Sequence, residues 1–176
     1  LMALLAVLLF CAGANAQNAP VNEQPAKKIL IAYFSWGGNT QHVAEHIAAL
    51  TGGTLFRIEP EKPYPTEYTP CTEKEADARP AIKKRVEDWV QYDTIFIGCP
   101  VWWWTAPMII NTFTEGYDFK GKTVIPFCTY ASTYRDETLA RIVELTPAAE
   151  HLKGFGAVSK NTKGIEEWLK EIKMLK

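Results

Sequence analysis

The stretch Ser35-Trp36-Gly37-Gly38-Asn39-Thr40 joins an apolar run, 29–34, to an amphipathic run, 41–50. A buried strand, a glycine loop and a helix start, in that order, make the geometry that holds a phosphate. Free backbone N–H groups at the helix N-terminus point at the anion, and the helix dipole favours its negative charge. Gly37 and Gly38 admit close backbone approach, while Ser35, Asn39 and Thr40 add side-chain hydrogen-bonding groups. The loop contains no Lys or Arg. It is therefore not a G-x-x-x-x-G-K-[ST] nucleotide loop, and it lacks the spacing of G-x-G-x-x-G. What remains is a single phosphate held mainly by neutral donors. The competing reading is a turn that only connects a strand to a helix.

Two more segments of unusual composition follow apolar runs directly. The first is Gly98-Cys99-Pro100-Val101-Trp102-Trp103-Trp104-Thr105-Ala106-Pro107. Three consecutive indoles cannot all enter one core, so at least one is expected at the surface, where a flat aromatic cofactor would stack. The bland alternative has two indoles under the helix cover and one half exposed. The second segment, Thr129-Tyr130-Ala131-Ser132-Thr133, offers hydroxyls and one aromatic ring. Alone it reads as a capped helix start. Beside the other two loops it would cover an edge or face of the same ligand.

His42-Val43-Ala44-Glu45-His46 spells H-x-x-E-H, a zinc-peptidase pattern whose imidazoles at i and i+4 share a helix face. A catalytic zinc needs a third protein ligand, and no downstream Glu stands out. Solvent-facing histidines opposite the Val43/Ile47 stripe are the expectation, with zinc hydrolysis through His42 and His46 as the weakest alternative. His151 has no partner in the pattern and is expected in a loop or at the surface. Tyr64 and Tyr68, in a proline-rich segment, are loop tyrosines or a lid over the ligand. Cys71, Cys99 and Cys128 show no C-x-x-C spacing, which makes neither a disulfide framework nor a zinc site. Cys99 and Cys128 each close an apolar run and are expected as small buried hydrophobes.

The elements that must position these residues alternate regularly. Strands are expected at 29–34, 54–58, 94–98, 123–128 and, more weakly, 153–159. Helices are expected at 41–50, about 80–91, from Pro107 to about Glu115, about 133–145, and from about Thr162. In the last, Ile165, Trp168, Leu169 and Ile172 share one side. Residues 59–71, with Pro60, Pro63, Pro65 and Pro70, are too proline-rich for a regular element. Continuous apolar strands separated by helices indicate a parallel sheet covered on both faces. The expected fold is a doubly wound five-stranded α/β domain of strand order 2-1-3-4-5, in which ligands sit outside the carboxyl ends of the strands. All three loops fall at those ends, which strengthens the phosphate reading.

With a formal net charge of −1 and no long charge run, nothing in the sequence calls for nucleic acid, which needs a concentrated basic patch. Residues 1–12 are almost unbroken Leu, Ala, Val and Phe, followed by Ala14-Asn15-Ala16. An apolar run too short to span a bilayer, ending in A-x-A, is the pattern of a secretory signal peptide. Residues 1–16 are therefore expected as the signal, 17–27 as a polar, flexible lead-in and 28–176 as the domain. The basic n-region is missing, so the true N-terminus is expected upstream. Export to the periplasm follows. Lipid anchoring through Cys11 is the weaker variant because bulky Phe10 precedes it, and a buried N-terminal helix is the bland alternative.

Y-F-S-W-G-G-N-T at 33–40, G-C-P-V-W-W-W-T-A-P at 98–107 and P-F-C-T at 126–129 resemble the short-chain bacterial flavodoxin-like proteins. So do A-R-P-A-I at 78–82, Y-D-T-I-F-I-G at 92–98 and Y-D-F-K-G-K at 117–122. The similarity runs from about Lys28 to Lys173. It implies the flavodoxin fold with FMN as cofactor, the phosphate at Ser35–Thr40, Pro100–Trp104 flanking the isoalloxazine, and Thr129–Ser132 as the second flanking loop. The chain departs from the family at Gly37, often Thr, at Trp104, often Gly, and at 129–134, often T-x-G-G-S-G.

The resulting expectation is an exported protein that binds FMN non-covalently and transfers electrons to a redox partner the sequence does not identify. An NAD(P)H:quinone-type reductase on the same fold and a binding module without flavin are the alternatives. No residue qualifies as a nucleophile or general base.

Overall fold

Alternation of buried side chains above and below one sheet builds this molecule. The computed structural model describes residues 28–65 and 76–176. The expected signal segment 1–16 and lead-in 17–27, with Tyr68, Pro70 and Cys71, lie outside the described residues. Strands β1 (Ile29–Tyr33), β2 (Thr54–Arg57), β3 (Thr94–Pro100) and β4 (Thr123–Tyr130) pair in the order β2-β1-β3-β4, all parallel. Two short strands, β5 (Glu150–His151) and β6 (Phe155–Val158), both pair with β4. Among the described residues four α-helices cover the sheet: α1 (Asn39–Thr51), α2 (Met108–Glu115), α3 (Arg135–Glu144) and α4 (Ile165–Glu171).

Leu30, Ala32, Ile95, Ile97, Cys99 and Val124 face one core with Ile109, Ile110 and Phe113 of α2 and Ile142 of α3. Their strand neighbours Ile31, Tyr33, Phe96, Ile125 and Phe127 face the other, with Val43, Ala44 and Ile47 of α1 and Ile165, Trp168 and Leu169 of α4. This period of two, buried on both faces, makes the strands read as unbroken apolar runs. The sheet is the doubly wound 2-1-3-4-5 arrangement. Gly98 is required by packing, since a Cβ there would lie 2.0 Å from the Phe127 ring.

The fifth strand is broken into two pieces. Its register slips by one residue between Val124↔His151 and Phe127↔Phe155. The break falls opposite Pro126, which has no N–H to give a ladder.

Two expectations are corrected. No helix forms at 80–91. The segment runs extended, with Ile82 bridged to Pro60, Glu61 N–H donating to the Ala81 carbonyl and Lys83 N–H to the Glu59 carbonyl. A 3₁₀ turn, Trp89–Gln91, follows. Trp89 stacks on Tyr117 at 4.4 Å and donates to the Asp118 carbonyl, while Val86 N–H donates to Tyr117 Oη. These tertiary bonds override a weak helical propensity. His151 is no loop residue without a partner: it lies in β5, half-buried, with Nε2 2.9 Å from Thr146 Oγ1.

Candidate functional site

The N-terminus of α1 is built to receive an acceptor. Gly38 is its N-cap, at φ +88°, a left-handed conformation that favours glycine. No side chain caps the helix, and its first turn holds no acidic residue. The first helical bond runs from His42 N–H to the Gly38 carbonyl. The N–H groups of Asn39, Thr40 and Gln41 therefore have no intrahelical acceptor. Gly38 N–H is taken by Ser35 Oγ at 3.1 Å, which fixes the turn. A Cβ on Gly37 would meet nothing within 4 Å, so the loop stands beside open space. Ser35 and Thr40 are nonetheless buried.

Three loops converge on one cleft of about 280 Å³. Ser35, Trp36, Gly37, Asn39 and Thr40 form one wall, Pro100, Val101 and Trp102 a second, and Thr129, Tyr130 and Ala131 a third. The first and third are tied by the Thr40 and Thr129 hydroxyls, and the second and third by Val101 N–H donating to the Thr129 carbonyl. Parallel pairing of β1, β3 and β4 brings these strand ends to one edge of the sheet.

Trp102 is the buried indole, packed edge-on against Phe34 at 5.2 Å and Tyr64 at 5.1 Å. Trp103 and Trp104 are not among the residues that line this cleft. Trp102 and Thr105 exchange both backbone hydrogen bonds, closing a two-residue turn with Trp103 at φ +46° and Trp104 at φ +69°. Trp104 is half exposed, its ring 6.2 Å from Tyr134. Ser132 lies outside the cleft as well, beside Tyr134 and Arg135 in an adjoining hollow. Gly38 shapes the turn without lining the cleft.

Two residues of this region were not found by sequence reasoning. Ser159, at φ +53°, closes the cleft beyond β6, its N–H donating to the Tyr130 carbonyl. Its position after the fifth apolar run was the available signal. Arg57, last in β2, reaches the Ser35 carbonyl and the Gln41 side chain. The register Tyr33↔Arg57 brings it beside the loop, a pairing no linear motif displays. A second cleft of about 330 Å³ adjoins on that side, with Trp36, Arg57, Tyr64 and Lys83 among its walls.

Burial sets the titration of the nearby thiols. Cys99 and Cys128 are register partners on β3 and β4, both free and buried. Burial holds the Cys99 thiol well above its usual range and pushes Cys128 up to about 12, with Arg135 opposing the latter. Burial likewise raises Tyr33 against the pull of Arg57. His42 is exposed and His46 half-buried. Among the described residues no three His, Cys, Asp or Glu side chains gather as a metal site, and no helix is long and apolar enough to cross a membrane.

The sequence profile of the family described as Flavodoxin matches residues 28–172. A candidate flavoprotein from Bacteroides eggerthii DSM 20697 is 37% identical, over 83% of this chain and 98% of its own, with a TM-score of 0.76. A second, from Bacteroides uniformis ATCC 8492, is 35% identical over 82% and 98%, with a TM-score of 0.75. A flavoprotein of Lactobacillus acidophilus NCFM, solved in complex with FMN, is 23% identical over 81% and 99%, with a TM-score of 0.69. No curated protein matches the chain.

Proposed function

The chain belongs to the flavodoxin family, and from that premise we propose that it binds FMN non-covalently and serves as an electron carrier. The observation that carries this reading is the uncapped α1 N-terminus opening into the same cleft as the buried hydroxyls of Thr40 and Thr129. The donor set fits a phosphate monoester: first-turn N–H groups, small hydroxyl side chains and the room beside Gly37. The apolar and aromatic walls fit a flat ring system.

Each part of the chain has a role in that scheme. Asn39, Thr40 and Gln41 N–H groups would receive the phosphate oxygens. Ser35 Oγ keeps Gly38 in its left-handed turn, so that the loop holds its shape before the ligand arrives. Pro100, Val101 and Trp102 would flank one side of the ring, Tyr130 and Ala131 the other, and both exclude water. FMN, when bound, supplies the redox chemistry, and the surrounding dielectric and hydrogen bonds tune it.

Titration of apo protein with FMN tests the reading, with fluorescence quenching as the signal. Binding at micromolar FMN and weaker binding of riboflavin are expected. No binding would overturn the cofactor assignment, and equal affinities would remove the phosphate role of residues 35–40.

A second reading, an NAD(P)H:quinone-type reductase, is favoured by one observation: Trp103 and Trp104 do not line the cleft, which leaves fewer side chains over the ring. The apolar run 1–12 with Ala14-Asn15-Ala16 supports export to the periplasm in either case.

A further inference from the structure

Arg57 spans the two ends of the turn that precedes α1. One of its terminal nitrogens donates to the Ser35 carbonyl at 3.3 Å, and the other donates to Gln41 Oε1 at 3.1 Å. Gln41 is oriented from its far side, where its amide donates to Glu45 at 2.8 Å. Arg57 Nε lies 3.8 Å from Glu59, an ion pair rather than a hydrogen bond. The turn begins at Ser35 and enters the helix by Gln41, so a single planar fork sets the separation of its ends. A lysine ammonium, a point donor on a flexible stem, could not hold two acceptors in one plane in the same way. The guanidinium also places positive charge beside a loop whose own residues are all neutral.

We propose that Arg57 is the positioning residue that makes this site prefer phosphorylated over unphosphorylated flavin. The inference rests on the FMN reading above and assigns its phosphate selectivity to a side chain outside the loop. With the Arg57 side chain 43% exposed and Glu59 alongside, its direct attraction for a phosphate is screened and partly offset. The larger contribution is geometric. Holding Ser35 and Gln41 keeps the first-turn N–H groups aimed at one point, which matters to a ligand with a phosphate there and little to one without.

The test compares apo wild type, Arg57→Gln and Arg57→Lys by fluorescence titration with FMN and riboflavin at low and high salt. Arg57→Gln should weaken FMN by about tenfold, the size of one charge-assisted hydrogen-bond network lost, and riboflavin by less than about twofold. Arg57→Lys should recover only part of the FMN loss, and salt should weaken FMN less in Arg57→Gln than in wild type. Parallel losses for both ligands would make Arg57 a general brace and overturn the proposal. A wild-type preference for FMN that persists unchanged in Arg57→Gln would overturn it while leaving the FMN reading intact. Equal wild-type affinities would remove the phosphate site and this inference with it. Should Arg57→Gln fail to fold, Arg57→Lys decides: an FMN-to-riboflavin ratio equal to wild type refutes the positioning role.

Discussion

Thr40 and Thr129 face each other with hydroxyl oxygens 2.8 Å apart, one at the start of α1 and the other near the end of β4, both buried. One hydroxyl donates to the other, which leaves the second O–H free to turn toward the cleft. The pair thus joins two ligand loops and retains a donor for a bound group. Thr40→Val alone strands the Thr129 hydroxyl in a buried site and should cost about 1–3 kcal/mol of stability. Thr40→Val with Thr129→Val removes both partners and should be nearly neutral to the fold. Urea unfolding of the two singles and the double checks this, and additive losses would refute the coupling. FMN affinity should fall in the double variant even where its stability does not.

Trp104 occupies a left-handed position that glycine fills without cost. Two-residue hairpin turns with positive φ at both central residues are ordinarily built from Asn and Gly, whereas this chain places two tryptophans there. Trp104→Gly should therefore stabilise the protein by about 1 kcal/mol, raising Tm by about 2–4 °C. The half of the Trp104 side chain that is buried, with its ring contact to Tyr134, opposes this gain. A lower Tm would show that contacts of this indole outweigh its backbone strain.

Much of the fold was legible because strands buried on both faces must be apolar throughout, as at Ile95, Phe96 and Ile97. The helix expected at 80–91 failed for a different reason. Its backbone groups find partners at Glu59 and Glu61 through pairing distant in sequence, and no local pattern carries that information. Residues from all three loops line one cleft. Trp103, Trp104 and Ser132 are not among its lining residues, and the positive-φ turn at the two indoles is something side-chain type does not reveal. Arg57 was missed because a strand-end cation becomes a loop residue only through register.

The buried thiols predict chemical inertness and a pH effect of defined sign. With Cys99 held well above its usual range and Cys128 raised to about 12, neither forms thiolate near neutrality, so both should resist a thiol reagent at pH 8 until the protein is unfolded. A folded-state pKa raised above that of the unfolded chain gives stability that is complete below the unfolded value near 9.0 and is lost as pH rises toward about 12. The loss should be about 1.4 kcal/mol per pH unit for Cys128 within that window. Urea unfolding between pH 8 and 11 tests it. Cys128→Ala should flatten the alkaline decline, and an unchanged slope would refute the assignment.

Export is expected from the apolar run and Ala14-Asn15-Ala16. Protein recovered from the native host should begin at or near Gln17, which N-terminal mass analysis reads directly. A cytoplasmic species that retains residues 1–16 would refute export, and a lipid-modified Cys11 would replace the soluble periplasmic form with an anchored one.

Carrier and reductase differ in what must reach the flavin. Hydride transfer needs a nicotinamide stacked within about 3–3.5 Å of the ring, so one face must be open. Electron transfer is satisfied by an exposed ring edge. Trp36, Trp102 and Tyr130 are the aromatic side chains in the cleft walls, and Trp103 and Trp104 are not among them, so aromatic cover over a face would come from those three. The chain has no second glycine-rich fingerprint after a strand for a dinucleotide. FMN-loaded protein should therefore be reduced slowly by NADH and NADPH and quickly by a small one-electron donor. Anaerobic stopped-flow absorbance with each donor decides this. Rapid, saturable bleaching by a nicotinamide, followed by turnover with a quinone, would establish the reductase instead. Tyr130→Gly separates the two causes of a slow rate. If the tyrosine covers the ring, its removal should raise the nicotinamide rate; if recognition of the nicotinamide is what is missing, the rate should stay low while FMN remains bound.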